Sequence, residues 1–209
     1  MADLTTTLAT SQIVSLAFLA MEKTPPASFA DDSEEAAQSL RFYPLALDRT
    51  LESGDWSFAS TYADLPPLDL PHGAARDPAL PFVFSLPGDA LALREVGDGE
   101  VRLRWRVDKI GDTRALRADC AGPIQIRYTA RLANETLLPA SFKEAVALQL
   151  AVYLAQRFLG TANKIELLKR DLSEAIKMAL REDSRTASAA RYDGLDISHS
   201  DDWVTEARR

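Results

Sequence analysis

The chain has 209 residues, of which 46% are hydrophobic and 26% are charged, and its formal net charge is −7 at pH 7. This composition is typical of a globular protein with enough apolar residues for a core. The negative charge argues against a general nucleic-acid-binding protein, because neutralising phosphates requires clustered lysines and arginines. Cys120 is the only cysteine, which excludes an intramolecular disulfide. We expect cytoplasmic synthesis without a membrane anchor, since no signal peptide is recognisable and the apolar stretch 13–21 is shorter than roughly 20 residues.

Two helices are predicted in the first 60 residues. The first, capped by Thr10 or Ser11, is indicated by apolar residues at helical spacing: Ile13, Leu16, Ala17 and Ala20. Asp32 and Glu35 have the spacing of a capping box for a second helix. Pro44 is expected to kink this second helix, and Gly54 to end it. Trp56 and Phe58, which follow, are predicted to pack in the core rather than to contact a partner.

A loop followed by strands is predicted for the middle of the chain. Five prolines between residues 65 and 81 indicate an extended loop, and residues 82–86 are typical of a strand. Two further segments, 101–107 and 124–128, alternate apolar and polar residues as strands with one buried face do. The sequence therefore predicts a small, mostly antiparallel sheet.

Two long helices and a polar tail are predicted after residue 131. Ser141 and Glu144 have capping-box spacing, and the helix that they begin is apolar almost all round, which favours a central, buried position. Gly160 ends this helix, and Asn163 and Glu166 repeat the capping spacing for the next one. Residues 183–209 are too poor in apolar residues to fold alone.

These elements divide the chain into three parts. The outer helices, residues 1–60 and 132–182, are predicted to pack as one bundle. Residues 61–131 form the Pro-rich loop and a β-rich insertion in that bundle, and residues 183–209 form a C-terminal docking tail. The predicted fold class is therefore mainly α with a β insertion (α+β).

Two sets of residues are candidates for contacts with other molecules. The first set is an arginine stripe on the predicted strand, made of Arg102, Arg104 and Arg106. Three interpretations are open for it: it lines a DNA channel, it faces a neighbouring subunit, or it is a strand face in contact with water. The second set consists of apolar tail residues that dock on a partner, because aromatic residues dominate interface hot spots: Tyr192, Leu195, Ile197 and Trp203. The alternative for the tail is an unstructured C-terminus.

No catalytic, cofactor or metal site is predicted. His199 has serine and aspartate neighbours in sequence, but residues adjacent in a polar tail do not converge as a hydrolase triad must. His72 lies near one aspartate in a Pro-rich loop, whereas zinc requires about four ligands. The acidic cluster 31–35 lacks the spacing of a calcium loop, and favourable charge at a helix N-terminus explains it. The sequence predicts a protein that is not an enzyme.

A series of short motifs resembles a known family. The motifs are Arg41-Phe-Tyr-Pro-Leu45, Trp56, Phe58, Phe82-Val-Phe-Ser-Leu-Pro-Gly-Asp89, Ile126-Arg-Tyr-Thr-Ala-Arg131, Leu138-Pro139, Phe142 and Leu159-Gly160-Thr161. Their order over residues 11–182 is similar to that of phage head–tail connector proteins of the tail tubular protein A type, and of gene transfer agent adaptors. The resemblance implies a four-helix bundle with an inserted small antiparallel β-sheet and an extended C-terminal tail.

The resemblance also implies a function. The chain would be a structural head-to-tail adaptor that forms a ring, a dodecamer, under the portal of a phage or phage-like particle and extends the DNA channel. Its partners would be the portal protein, the next tail component (a stopper, nozzle or tail terminator) and passing double-stranded DNA without sequence readout, with no membrane and no cofactor. It would lie at the head–tail interface of the virion, and in the host cytoplasm before assembly. The alternative is a small cytoplasmic helix-bundle scaffolding or regulatory module.

Overall fold

The computed structural model describes residues 11–26, 32–68, 77–97, 103–160 and 162–186. Four α-helices lie in these ranges: α1 Gln12–Ala20, α2 Glu34–Glu52, α3 Ala140–Phe158 and α4 Ala162–Arg185. Six strands lie between α2 and α3: β1 Ser60–Leu65, β2 Phe82–Ser85, β3 Ala90–Gly97, β4 Trp105–Ile110, β5 Thr113–Ala118 and β6 Ile124–Ala130. Two short 3-10 helices cover Ser57–Ala59 and Glu135–Leu137.

The expected fold, a four-helix bundle with one small inserted sheet, is wrong. The described residues are 49% helix and 24% strand, and the strands form two three-stranded antiparallel sheets. Sheet A has the order β1-β6-β3, and sheet B has the order β2-β5-β4. The prediction failed because alternation identifies single strands but does not tell which strands pair, and because half of the strands show no alternation in the sequence.

The two sheets share a hydrophobic core that is separate from the core of the helices. Sheet A contributes Ile124, Ile126 and Tyr128 of β6, its central strand, and sheet B contributes Phe84 and Leu116. Burial of such side chains contributes about 25 cal/mol per Å² of apolar surface removed from water. The β-rich region is therefore stabilised by a hydrophobic core of its own, in addition to its contacts with the helices.

The helices pack around α3. Each of α1, α2 and α4 contacts α3, and the buried residues of α3 lie on most of its circumference, as its apolar sequence predicts. Helix α2 continues from Glu34 to Glu52 with Pro44 inside it. In the described ranges, no helix is both long enough and apolar enough to cross a membrane.

Two arginines of sheet A, and Arg131 directly after β6, join the sheets to the C-terminal end of α2. The Arg94 guanidinium donates to the carbonyl oxygens of Leu51, Glu52 and Gly54 through Nη2, and its Nε donates to Thr129 Oγ1 at 2.8 Å. The other two arginines form ion pairs with residues of α2 and the turn after it: Arg127 with Asp55 at 2.7 Å, and Arg131 with Asp48 at 2.6 Å. These contacts fix the orientation of the sheets relative to the helices.

A buried polar cluster ties together three separate segments of the helical part. Glu135 Oε1 accepts hydrogen bonds from Ser11 Oγ and from Tyr43 Oη, both at 2.5 Å. Ser11 is also the N-cap of α1, because its side chain accepts from the backbone N–H of Val14 at 3.3 Å. Burial raises the pKa of Tyr43 far above its usual value, and the hydrogen bond to Glu135 acts in the same direction.

This cluster makes the stability of the protein sensitive to alkaline pH. Above pH of about 10 the unfolded chain loses the Tyr43 proton while the folded protein keeps it, so stability falls by up to about 1.4 kcal/mol per pH unit. Tyr43→Phe is expected to lose about 1 kcal/mol at neutral pH and to show a shallower decline above pH 10. Chemical denaturation from pH 8 to 11 measures both effects, and equal slopes in the two proteins would contradict the assignment.

Candidate functional site

The arginine stripe lies at an exposed edge of sheet B. Arg106 lies on β4, Arg104 directly precedes the strand, and Arg102 lies outside the described residues. The strand begins at Trp105, four residues later than its alternating pattern suggests, and Trp105 itself is 39% exposed. The structure thus places Arg104 and Arg106 near each other, but the face of β4 opposite to them is not fully buried as the alternating pattern predicts.

Both arginines of this stripe are engaged in ion pairs within the chain. Arg104 Nε lies 3.0 Å from Asp119 Oδ2, and Arg106 contacts Asp108 at 2.7 Å and Asp77 at 3.1 Å. The hydrogen bond between Arg106 and Asp108 raises the pKa of the arginine and lowers that of the aspartate. Asp108 also contacts the buried Arg117 at 2.9 Å.

The formal charges of this network cancel. The Arg104–Asp119 pair and the group of Arg106, Arg117, Asp77 and Asp108 together contain three arginines and three aspartates, so that +3 and −3 sum to zero. A neutral network attracts a phosphate backbone far less than a free arginine stripe does. The sequence did not reveal this pairing, because Asp77 and Asp119 are distant from the stripe along the chain.

The start of the C-terminal segment is fixed against the fold. Helix α4 extends to Arg185, and near its end the backbone N–H of Ser57 donates to Asp183 Oδ1 and Oδ2 at 3.1 and 2.9 Å. The Ser57 hydroxyl also donates to Asp183. The predicted docking residues of the tail lie outside the described residues: Tyr192, Leu195, Ile197 and Trp203.

A cavity of about 220 Å³ opens beside this anchor. Its apolar wall includes Trp56, Phe58, Phe142 and Ala179, and its lining also includes Glu182, Asp183 and Thr186 at the end of α4. Trp56 is fully buried and Phe58 is half-buried against the helical core, so the prediction that they pack in the core is confirmed. No pattern in the sequence indicated the cavity, since it forms between segments that are far apart along the chain.

Several large apolar side chains are exposed on different parts of the surface. Leu19 of α1 is 70% exposed, and α1 contains no charged residue to keep this face in water. Further exposed apolar residues lie on β1, on α4 and in the Glu135–Leu137 turn: Tyr62, Leu167, Met178 and Leu137. Such singly exposed apolar side chains are common on globular proteins, and they leave several faces available for contacts with neighbours.

The described residues offer little for chemistry. They contain no cluster of three or more histidine, cysteine, aspartate or glutamate side chains that could hold a metal ion. His72 and His199, considered above, lie outside the described residues. Glu34 and Glu35 lie in the first turn of α2, where the helix dipole favours negative charge, and Glu34 pairs with Arg157 at 2.7 Å.

Comparison with known proteins identifies the family. The sequence profile of the tail tubular protein family matches residues 78–189, which is more than half of the chain and covers β2 to β6, α3 and α4. No curated protein matches the chain. Because the match spans more than half of the chain, the chain belongs to the tail tubular protein family and has a structural role in the phage tail, as a component of the virion.

Proposed function

We propose that the chain is a head-to-tail adaptor of a phage or phage-like particle. Copies of it form a ring under the portal, and the ring extends the DNA channel and joins the next tail component. The observation that supports this proposal is the match of residues 78–189 to the tail tubular protein family, and exposed apolar side chains such as Leu19 and Tyr62 are available for contacts between subunits. A closed ring needs two different faces on each subunit, and an adaptor needs further contacts above and below it.

The arginine contacts between the sheets and α2 support the same function. A ring that carries force and guides DNA requires subunits whose two parts do not move independently. Arg94, Arg127 and Arg131 provide such a connection between the helices and sheet A. In the proposed ring dodecamer, each subunit therefore moves as one unit of helices and sheet A.

The charge of the chain fits a channel that DNA passes through without being held. The net charge is −7, and the arginines near β4 are balanced by aspartates. Tight binding would require excess lysine or arginine facing the phosphates. The proposed contact with double-stranded DNA is transient and independent of sequence, because only contacts with base edges read sequence.

The proposal predicts a defined complex with the portal. Mixing the protein with the portal ring of the same phage is expected to increase the assembly mass by one copy per portal subunit, measured by native mass spectrometry. Deleting residues 187–209, which leaves Asp183 and its hydrogen bonds to Ser57 intact, is expected to abolish the increase. Binding that survives the deletion would retain the adaptor function and contradict the docking role of the tail.

A matched pair of full-length variants tests the anchors of the tail. One variant replaces the four apolar residues Tyr192, Leu195, Ile197 and Trp203 with serine. The control replaces four polar residues of the same segment with alanine: Ser188, Ser198, Ser200 and Thr205. Only the first variant is expected to lose the portal, since apolar and aromatic anchors carry most of the binding energy at interfaces. Absence of any portal complex with the unaltered protein would favour the scaffolding or regulatory module, against which family membership argues.

A further inference from the structure

Strand β4 is an edge of sheet B, since only β5 pairs with it in that sheet. On the side of β5, the Asp119 N–H donates to the Arg104 carbonyl oxygen at 3.3 Å. On the opposite side, the Leu103 N–H donates to the Val96 carbonyl oxygen of β3 at 3.4 Å. Because backbone groups alternate in direction along a strand, every second residue after Leu103 also points its backbone groups away from β5. These residues are Trp105, Val107 and Lys109.

Beyond Leu103, this free edge of β4 carries no further backbone–backbone hydrogen bond from the described part of the chain. Trp105 is 39% exposed on it, and the side chain of Lys109 is 73% exposed. An open edge with an exposed aromatic residue favours the addition of another strand. Charged residues on edge strands commonly prevent such pairing, so the order of the charges decides which strand β4 can accept.

The sequence of the free edge is complementary to itself in the antiparallel direction. When Val107 lies opposite Val107 of a second copy, Arg106 lies opposite Asp108, and Trp105 lies opposite Lys109. The first pair is an ion pair and the second a cation–π contact, and both are attractive. A displacement by two residues places either Arg106 or Asp108 opposite its own copy, and like charges opposite each other are destabilising. The charges therefore favour a single register.

The faces of the two strands also match in this register. Val107 packs against the core of the sheets, so Trp105 and Lys109 belong to the same face of β4 and the two charged partners to the other. The side chain of Arg106 is 56% exposed beside its own Asp108, which leaves it accessible to the carboxylate of a second copy. The paired strands thus place apolar and aromatic groups on one face and alternating charges on the other.

We propose that the free protein forms a two-fold dimer through β4, in which the two copies of sheet B join into one continuous sheet. Three residue pairs exchange about six backbone hydrogen bonds. The dimer is weak, because two short strands bury far less than the roughly 1,200–2,000 Å² of a stable interface. A two-fold contact joins two copies and cannot build a larger closed ring, so the dimer is a form of the subunit before assembly. The proposal therefore does not rest on the adaptor function.

Sedimentation equilibrium of the full-length protein over a concentration series tests the proposal. The mass is expected to rise to that of two copies and to stop there. Val107→Pro removes an N–H that points to the second copy and not to β5, and proline is tolerated at such edge positions. It is expected to weaken the dimer about tenfold or more, since two hydrogen bonds are lost in each dimer. Val107→Ala, the matched control, keeps this N–H and is expected to retain the dimer.

Cysteine cross-linking tests the register with an unaltered backbone. Antiparallel residues that exchange hydrogen bonds have Cα atoms about 5.5 Å apart, which is within the range of a disulfide. In a Cys120→Ala background, Val107→Cys is expected to form a disulfide-linked dimer under mild oxidation. Lys109→Cys is the control, because its two copies would lie about 13 Å apart along the strands. Its yield of linked dimer is expected to be about tenfold lower.

Four results would overturn the proposal. The first is a mass of one copy at the highest concentration reached. The second is growth beyond two copies, which would place β4 against a different edge, such as β1 of another copy. The third is equal weakening by Val107→Pro and Val107→Ala, because the contact would then depend on the side chain and not on the strand edge. The fourth is equal cross-linking through Val107→Cys and Lys109→Cys, which would exclude the single register.

Discussion

Replacing Trp56 with alanine is expected to lower the free energy of unfolding by about 3–5 kcal/mol. The side chain is fully buried in the core of the helices, and its Nε1 donates to the Thr50 carbonyl oxygen at 3.0 Å. Its ring also packs edge-to-face against Phe142. Alanine removes these contacts and leaves a cavity that the surrounding helices fill only in part. Urea denaturation, followed by circular dichroism, measures the loss.

Trp105→Ala is the matched control for this prediction. Trp105 is the same residue type on β4, but 39% of it is exposed. Removing it is expected to cost about 1 kcal/mol or less, because much of its surface is in water already. Equal losses in the two variants would show that Trp56 does not organise the helical core.

The glycine before Trp56 illustrates what a sequence pattern leaves open. Gly54 was predicted to end α2, and the helix ends at Glu52 with Ser53 as its C-cap; Gly54 is not in the left-handed conformation, since the described glycine with positive φ is Gly111. A Cβ atom at Gly54 would lie 2.7 Å from Leu180 Cδ2 and 3.0 Å from Trp56 Cε2. A side chain at this position would displace Leu180 of α4 and press on Trp56, a close approach that only the tertiary structure reveals.

The strands show which elements a sequence can predict. β2 and β6 were predicted, and part of β4 as well, because their residues are β-branched, aromatic or alternating. β1, β3 and β5 were missed. In β3 and β5 the segments Ala-Leu-Ala-Leu-Arg-Glu and Thr-Arg-Ala-Leu-Arg-Ala are rich in residues that favour helices. Pairing with β6 and with β2 and β4 outweighs this local preference.

The first residues of the helices were also predicted only approximately. Ser11 caps α1 as predicted, but α2 is capped by Ser33, one residue after the predicted Asp32. Helix α3 begins at Ala140, before the predicted cap Ser141. Capping-box spacing thus locates a helix to within one or two residues, since neighbouring polar side chains compete for the same N–H groups.

The candidate site could be predicted only in part. Alternation identified the arginines near β4, but their aspartate partners come from other strands and loops that pairing brings close. The cavity at the end of α4 combines residues 56–58, 139–142 and 179–186, which are up to 130 positions apart. Such a site depends on how helices and sheets pack, and no local pattern encodes it.

The second large effect is expected for Arg94→Ala, which should lower the free energy of unfolding by about 3 kcal/mol. Arg94 is half-buried, and its guanidinium binds the carbonyl oxygens at the end of α2, where the helix has no further N–H donors for them. Burial of this guanidinium lowers the pKa of Arg94 below its usual value. Alanine leaves partly buried carbonyl groups without this donor. Denaturation of the variant measures the cost, with circular dichroism reporting the helices.

Two further variants separate the geometry of this contact from its charge. Arg131→Ala removes the arginine directly after β6, but its side chain is 53% exposed and its partner Asp48 is 25% exposed, so water replaces part of the lost ion pair and a loss of about 1 kcal/mol or less is expected. Arg94→Lys keeps the positive charge but lacks the planar fork that reaches several carbonyls at once, so it should recover only part of the stability. If Arg94→Ala is no worse than Arg131→Ala, apolar contacts such as that of Leu91 with the helical core hold the sheets against α2. If Arg94→Lys is as stable as the unaltered protein, charge alone is sufficient, and the orientation of the sheets does not depend on the arginine fork.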